Sequence, residues 1–258
     1  MSRVTVLLAV LLTSALTAPA AHASAGNYVA IGDSYASGLG IGGETGSCDR
    51  SDRAYPVQWS QSPKHTIPLT NATCSGATTT DALNKQVSQV TGASTVVSVQ
   101  IGGNDGDFSG VMTTCQLQTY ANCSAAADRA DAAFTGPMRQ NLARIYAEIR
   151  NRAPNARIVA LGYPRLFDTA PAGSCSGITA DKQRRLNQSA EVLDASIRGS
   201  SEQAGVPYVS AIPYFAAHGV CAGERWLNPL NVFNKRQSYH PNLGGHSYGF
   251  VPMLDSVT

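Results

Sequence analysis

Apolar and polar positions along the chain follow two periods. Four short runs, 28–31, 95–101, Arg157–Leu161 and 206–209, are rich in aromatic and branched residues; the first three run into glycine, and the last follows Gly205. Short continuous apolar runs bounded by glycine are the pattern of strands buried on both faces. Between them apolar residues recur at every third or fourth position. Over 138–152 the residues Met138, Leu142, Ile145, Tyr146 and Ile149 form one stripe, with Arg139, Arg144, Glu148, Arg150 and Arg152 facing away and Pro154 ending the helix. A second helix is expected from an N-cap at Thr179 to about Gln203, with Leu186, Leu193 and Ile197 on its buried side and Gly205 as its stop. A shorter amphipathic stretch covers 81–90. Strands alternating with helices predict an α/β fold, a central, mainly parallel sheet covered on both faces. No repeat or low-complexity linker divides the chain, so one domain is expected.

The N-terminus departs from this pattern. Arg3 precedes an apolar run at 4–12, and small residues then lead to Ala21-His22-Ala23. A basic start, a short apolar core and an Ala-x-Ala site are the form of a signal peptide. The run is shorter than the roughly 20 apolar residues of a membrane span. Cleavage after Ala23 is therefore expected, making 1–23 a signal peptide and 24–258 a secreted, extracellular domain with no integral membrane segment. The 19 Lys+Arg against 17 Asp+Glu give a formal charge of +2 without a cationic cluster. That balance argues against a nucleic-acid partner.

Export turns the six cysteines into expected disulfides. No Cys-x-x-Cys pair or zinc-type histidine spacing is present, so no metal site is expected. Six cysteines allow about 15 connectivities. Pairing sequence neighbours, Cys48–Cys74, Cys115–Cys123 and Cys175–Cys221, is the simplest, and it would staple three long non-regular segments.

Ligands of such sheets sit beyond the carboxyl ends of the strands, where this chain concentrates glycine and small polar residues. Gly32-Asp33-Ser34 follows the first strand and presents a hydroxyl at a strand-to-helix turn. The residues around Ser34 do not match the Gly-x-Ser-x-Gly elbow, because Ala36 stands where that pattern has glycine. Cys74-Ser75-Gly76 offers a backbone N–H, Gly102-Gly103-Asn104-Asp105 an amide side chain, and Ser238-Tyr239-His240-Pro241 an imidazole. A hydroxyl, an imidazole base and two or three neutral donors are the set that acyl transfer requires. His246 is the rival to His240; His65 and His218 lie in polar surroundings that suit surface roles.

In these four ordered blocks the chain resembles the GDSL, or SGNH, family of esterases and lipases, named for Ser, Gly, Asn and His. The likeness covers nearly all of 24–258 and is greatest to secreted actinobacterial lipases and phospholipases A1. It implies a three-layer α/β/α, flavodoxin-like fold, and a serine ester hydrolase with no cofactor. Ser34 would be the nucleophile and His240 the general base and acid. The Ser34 and Gly76 N–H groups with the Asn104 side chain would form the oxyanion hole. The chain departs from the common family pattern at Gln237, where an Asp three residues before the histidine is usual. A backbone carbonyl, of Ser238 or of Gln237, is expected to orient His240 instead; Asp33 and Asp105 are the competing partners.

Lipid esters, of triacylglycerol lipase or phospholipase A1 type and met at a lipid–water interface, are the expected substrates. The residues Tyr163, Leu166, Phe167, Ile212, Tyr214 and Phe215 are candidates for an acyl groove, and 113–135 for a lid. A carbohydrate acetyl esterase and a non-catalytic lipid- or glycan-binding protein on the same fold are the alternatives. A monomer is the default.

Overall fold

The structure, a computed structural model, describes residues 26–167 and 175–258 together with Met1. The expected signal peptide 1–23 lies outside the described residues, apart from Met1.

Five strands form one parallel sheet: β1 Asn27–Gly32, β2 Leu69–Asn71, β3 Ser94–Gln100, β4 Arg157–Leu161 and β5 Tyr208–Val209, in the order β2-β1-β3-β4-β5. In β1 every residue from Tyr28 to Gly32 is buried, which requires cover on both faces. The register sets Val29 between Thr70 of β2 and Val97 of β3. The strand β2 escapes the apolar pattern because it is a three-residue, half-buried edge of Leu, Thr and Asn. At the other edge β5 is shorter than the run 206–209. Pro207 has no N–H to give, and only its carbonyl joins the ladder, accepting from Ala160 N–H at 2.9 Å.

The helices are α1 Ser34–Ser37, α2 Tyr55–Gln61, α3 Thr79–Asp81, α4 Phe108–Leu117, α5 Tyr120–Thr135, α6 Pro137–Arg152, α7 Ala180–Gln203, α8 Ala211–Tyr214 and α9 Val251–Asp255. A capping box between Thr78 and Asp81 starts α3, which continues through a π turn, Ala82–Gln86, and a 3-10 turn, Val87–Gln89. A second π turn, Gly245–Phe250, leads into α9. One helical group joins α2, α9 and that π turn; another joins α5, α6 and α7. The whole α6 stripe, Met138, Leu142, Ile145, Tyr146 and Ile149, is buried. Thr179 stands at the N-cap of α7, but its hydroxyl goes to the Asp181 carboxylate and not to a helix N–H. Gly205 takes a positive φ of 60° just past the helix, the left-handed turn that favours glycine.

Three disulfides join sequence neighbours, Cys48–Cys74, Cys115–Cys123 and Cys175–Cys221. One of them corrects the expectation of loop staples, because Cys115 lies in α4 and Cys123 in α5, so that bond ties two helices together. The Cys48–Cys74 bond instead closes on the loop that carries Gly76, and Ser75 N–H donates to the Cys48 carbonyl at 3.1 Å.

The cross-linked separations are 46, 26 and 8 residues for Cys175–Cys221, Cys48–Cys74 and Cys115–Cys123. Loop-closure entropy then ranks the stability lost in the paired Cys→Ser variants at about 4, 3.5 and 2.5 kcal/mol. Urea unfolding of the three double variants measures that order.

Candidate active site

The last residue of β1 is a glycine because nothing larger fits there. A Cβ would stand 2.7 Å from the Gln100 carbonyl oxygen and 2.5 Å from the Ala36 Cβ. The Gln86 side chain clasps the same residue from both sides: its Oε1 accepts from Gly32 N–H at 2.9 Å and its Nε2 donates to the Gly32 carbonyl at 3.0 Å. The next residue, Asp33, caps α1 by accepting from Tyr35 N–H at 3.0 Å, and its other oxygen accepts from the Tyr163 hydroxyl at 2.5 Å. Burial pushes the Asp33 carboxyl up to about 7, against the lowering effect of these hydrogen bonds.

Ser34 is thereby held at the first position of α1, buried except for a small opening. Its Oγ lies 2.8 Å from His240 Nε2, and His240 Nδ1 lies 3.0 Å from the Ser238 carbonyl oxygen. A carbonyl only accepts, so Nδ1 carries the proton and Nε2 is left to accept from the serine hydroxyl. The ring packs against Tyr35 and Phe108, with centroids 5.3 and 5.9 Å away. Burial pushes its pKa down to about 4; the Ser238 hydrogen bond opposes that shift and the Arg236 charge adds to it. The imidazole is therefore neutral at pH 7.

The histidine loop is fastened at several points. Asn228 N–H donates to the His240 carbonyl and Tyr239 N–H to the Asn228 carbonyl, at 2.8 and 2.9 Å, while Leu227 bridges Pro241. Tyr239 adopts a φ of +64°, unusual for a residue with a side chain, and its carbonyl accepts from the Tyr35 hydroxyl at 2.7 Å. The Gln237 carbonyl faces the His240 main-chain N–H, at 3.4 Å, so of the two expected carbonyls only that of Ser238 meets the ring.

The two competing acids are committed elsewhere. Asp33 is bound by Tyr35 and Tyr163, and Asp105 accepts from Thr79 N–H at 2.9 Å and from the Thr79 hydroxyl. Asp105 thus joins the loop after β3 to the start of α3. Asn104 makes the parallel link, donating from Nδ2 to the Ala77 carbonyl at 3.0 Å, which leaves its second amide hydrogen free of that bond. Gly76 has a φ of +80° with open space around its missing Cβ, so the turn itself, not crowding, calls for glycine. His246 is a core residue: its Nδ1 accepts from Tyr55 N–H at 3.1 Å at the start of α2, and burial pushes it down to about 3. His65 stacks on Trp59 and reaches Asp255, and His218 stacks on Trp226.

A pocket open to solvent runs from Ser34 and Asn104 between α4, α5 and α7. Its far walls are apolar: Phe108, Val111, Met112, Phe134, Leu186 and Leu193. Of the expected acyl-groove residues, Tyr163 and Leu166 line it. Phe167, Ile212 and Phe215 line a different depression beside Arg165 and Cys221, because Phe215 packs on Phe250 and Trp226 at the C-terminal turn. Tyr214 lines neither. The stretch 113–135 is no free flap: it belongs to α4 and α5, buries both half-cystines and contributes Phe134 as a fixed wall. The α4 wall begins just after Gly102-Gly103-Asn104-Asp105, and its trace in the sequence is the helical spacing of Phe108, Val111 and Met112. Among the described residues no group of three or more His, Cys, Asp or Glu is placed to hold a metal ion.

The model of the GDSL-like lipase/acylhydrolase family matches residues 30–248. The chain belongs to that family. The chain is also similar to Lipase 1 of Streptomyces coelicolor, 36% identical over 252 residues that span 95% of this chain and 92% of the relative. Two solved structures superpose with a TM-score of 0.86, each covering 91% of this chain and 100% of its own. They are phospholipase A1 from Streptomyces albidoflavus NA297, 37% identical, and an extracellular lipase from Streptomyces rimosus, 36% identical. Membership makes the chain a carboxylic-ester hydrolase of the GDSL type.

Proposed function

We propose that the protein is a secreted lipid esterase, of lipase or phospholipase A1 type, working through an acyl group on Ser34. The observation that carries this reading is the unbroken line from Ser34 Oγ through the His240 ring to the Ser238 carbonyl, at the mouth of an apolar pocket. His240 Nε2 takes the hydroxyl proton as Ser34 Oγ attacks the ester carbonyl. The carbonyl π electrons move to oxygen, and that oxyanion meets the N–H groups of Ser34 and Gly76 and the Asn104 amide. On collapse the C–O bond to the alcohol breaks, and His240 returns the proton to the leaving oxygen. Water repeats the sequence on the acyl-enzyme and frees the acid. The pocket walls Phe108, Val111, Met112, Phe134, Leu186 and Leu193 suit an alkyl chain and offer no charge to an acidic or heavily hydroxylated acyl group.

Secretion is supported by the N-terminal pattern at Arg3, 4–12 and Ala21-His22-Ala23 and by the naming of the S. rimosus relative as extracellular. Among the described residues no helix is long and apolar enough to cross a membrane.

Ser34→Ala and His240→Ala each lower kcat by about 10³-fold or more on a soluble ester, and the double variant falls little further, because the two act as one unit. Asn104→Ala costs about 10²–10³-fold in kcat. Retained turnover in His240→Ala with loss in His246→Asn would reverse the assignment of the base.

The same geometry sets the acid side of the pH profile. Only neutral His240 can accept the serine proton, and its pKa is held down to about 4. The free enzyme therefore stays competent as pH falls below the ordinary histidine value near 6.5, and kcat/KM drops with a midpoint near 4. A midpoint at 6.5 would mean that the ring is open to water.

A panel of p-nitrophenyl esters with phosphatidylcholine and acetylated xylan, run on protein taken from the culture medium, tests substrate and export together. Turnover rising with acyl length, on a chain whose mass begins at Ser24, is the expected outcome. Acetate as the sole good substrate, or an uncleaved chain kept inside the cell, counts against it.

A further inference from the structure

The loop that carries His240 at its base has an apolar tip at its other end. It leaves at Leu227, returns at Pro241, and turns at Asn231, whose side-chain oxygen accepts from both Phe233 N–H and Asn234 N–H at 3.0 Å. Asn231 N–H in turn donates to the Ser238 hydroxyl at 2.9 Å. These bonds hold the tip in one shape while leaving Phe233 99% and Val232 62% exposed. Full exposure of a phenylalanine on a braced loop has no use in folding, since folding gains only from apolar surface that leaves water.

A second apolar projection is tied to the same loop through Gln116. Leu117, 77% exposed, and Tyr120 close the turn between α4 and α5. The preceding Gln116 donates to the Tyr239 hydroxyl at 2.8 Å and to the Ser176 carbonyl, and the Ser176 hydroxyl accepts from Leu230 N–H. Gln116 and Leu230 thus meet on the Ser176–Gly177 turn, which ties the end of α4, next to Leu117, to the start of the loop that carries Val232 and Phe233. Both projections extend from elements that serve Ser34: α4 supplies a wall of its pocket, and the loop supplies His240, which bonds its hydroxyl. Cations flank the tip. Arg236 pairs with Asp49, whereas exposed Lys235 has no ion-pair partner among the described residues.

We propose that Val232, Phe233, Leu117 and Tyr120 form a docking surface for a lipid surface, inserting their side chains among acyl chains while Lys235 meets anionic headgroups. This rests on the lipid-esterase reading and specifies how that site meets aggregated substrate. Exposed aromatic and aliphatic side chains beside an unpaired cation are the composition of interfacial anchors. Docked this way, the helix that walls the Ser34 pocket and the loop that carries His240 both meet the lipid.

The test separates docking from chemistry. Binding is measured by co-sedimentation with phosphatidylcholine vesicles, with and without phosphatidylglycerol, using Ser34→Ala protein so that the lipid is not consumed. Chemistry is measured on soluble p-nitrophenyl butyrate with Ser34 intact. The pair Val232→Ser/Phe233→Ser is expected to weaken vesicle binding by about tenfold or more, with soluble turnover unchanged as proof of folding. Lys235→Gln is expected to lose about fivefold, on the phosphatidylglycerol vesicles alone. Phe233→Trp should bind like the parent and shift its emission to the blue on adding vesicles. Unaltered binding by the double Ser variant, or an unshifted Phe233→Trp spectrum, overturns the proposal. So does a parent that sediments as a dimer which the Ser pair dissolves, because the patch would then belong to a second copy of the chain. Vesicle binding by a parent that hydrolyses no ester would leave the docking surface standing and remove the esterase reading.

Discussion

Everything in the site is referred to one crowded point, the end of β1. Gly32 has no room for a side chain against the Gln100 carbonyl and Ala36, and Gln86 grips its main chain from both sides. Gln86 belongs to the π turn that continues α3, so the strand's end and the helix beside it cannot move independently. The main chain just past β2 continues the same grip, since Cys74 N–H donates to the Gly32 carbonyl at 3.0 Å and brings the Gly76 loop alongside. Ser34 is thus positioned by backbone geometry before any side-chain partner is considered, and adding even a methyl group at residue 32 would displace the three loops together.

Around that point, the acidic residues brace the site and leave the chemistry to neutral groups. Asp33 and Asp105 sit next to Ser34 and Asn104 in sequence, yet each spends its oxygens on neighbouring loops, Asp33 on Tyr163 and Tyr35, Asp105 on Thr79. Burial raises both. A carboxylate directed at Ser34 would oppose any negative charge developing there; bound to its neighbours, each instead ties a segment in place. The apolar walls of α4, α5 and α7 complete the low-dielectric surroundings in which neutral donors act strongly.

The parts of this arrangement that were legible in the sequence are those written in local pattern. The strands β1, β3 and β4 announce themselves by apolar runs ending in glycine, and α6 by a stripe that is buried throughout. Four short blocks at strand ends marked the neighbourhood of Ser34, Gly76, Asn104 and His240. What stayed hidden depends on packing between distant segments. The edge strand β2 exists only because β1 offers it a ladder. Phe215 reads as a pocket residue until Phe250 and Trp226 claim it, and Gln86 reads as an ordinary polar position until it is seen across 54 residues from Gly32. The exposure of Phe233 is equally invisible, since an apolar residue in a loop is more often covered.

The group that orients the imidazole belongs to the main chain of Ser238. A peptide carbonyl has no net charge for salt to screen and gains no proton at ordinary acidity, so neither ionic strength nor mild acid loosens the ring's alignment. No side-chain substitution at 238 deletes it, either. The alignment is instead a property of the path of the chain from 237 to 240, including the left-handed turn at Tyr239 that the Tyr35 hydroxyl secures. In a carboxylate triad orientation and charge come from one residue; here orientation comes from the curvature of the backbone.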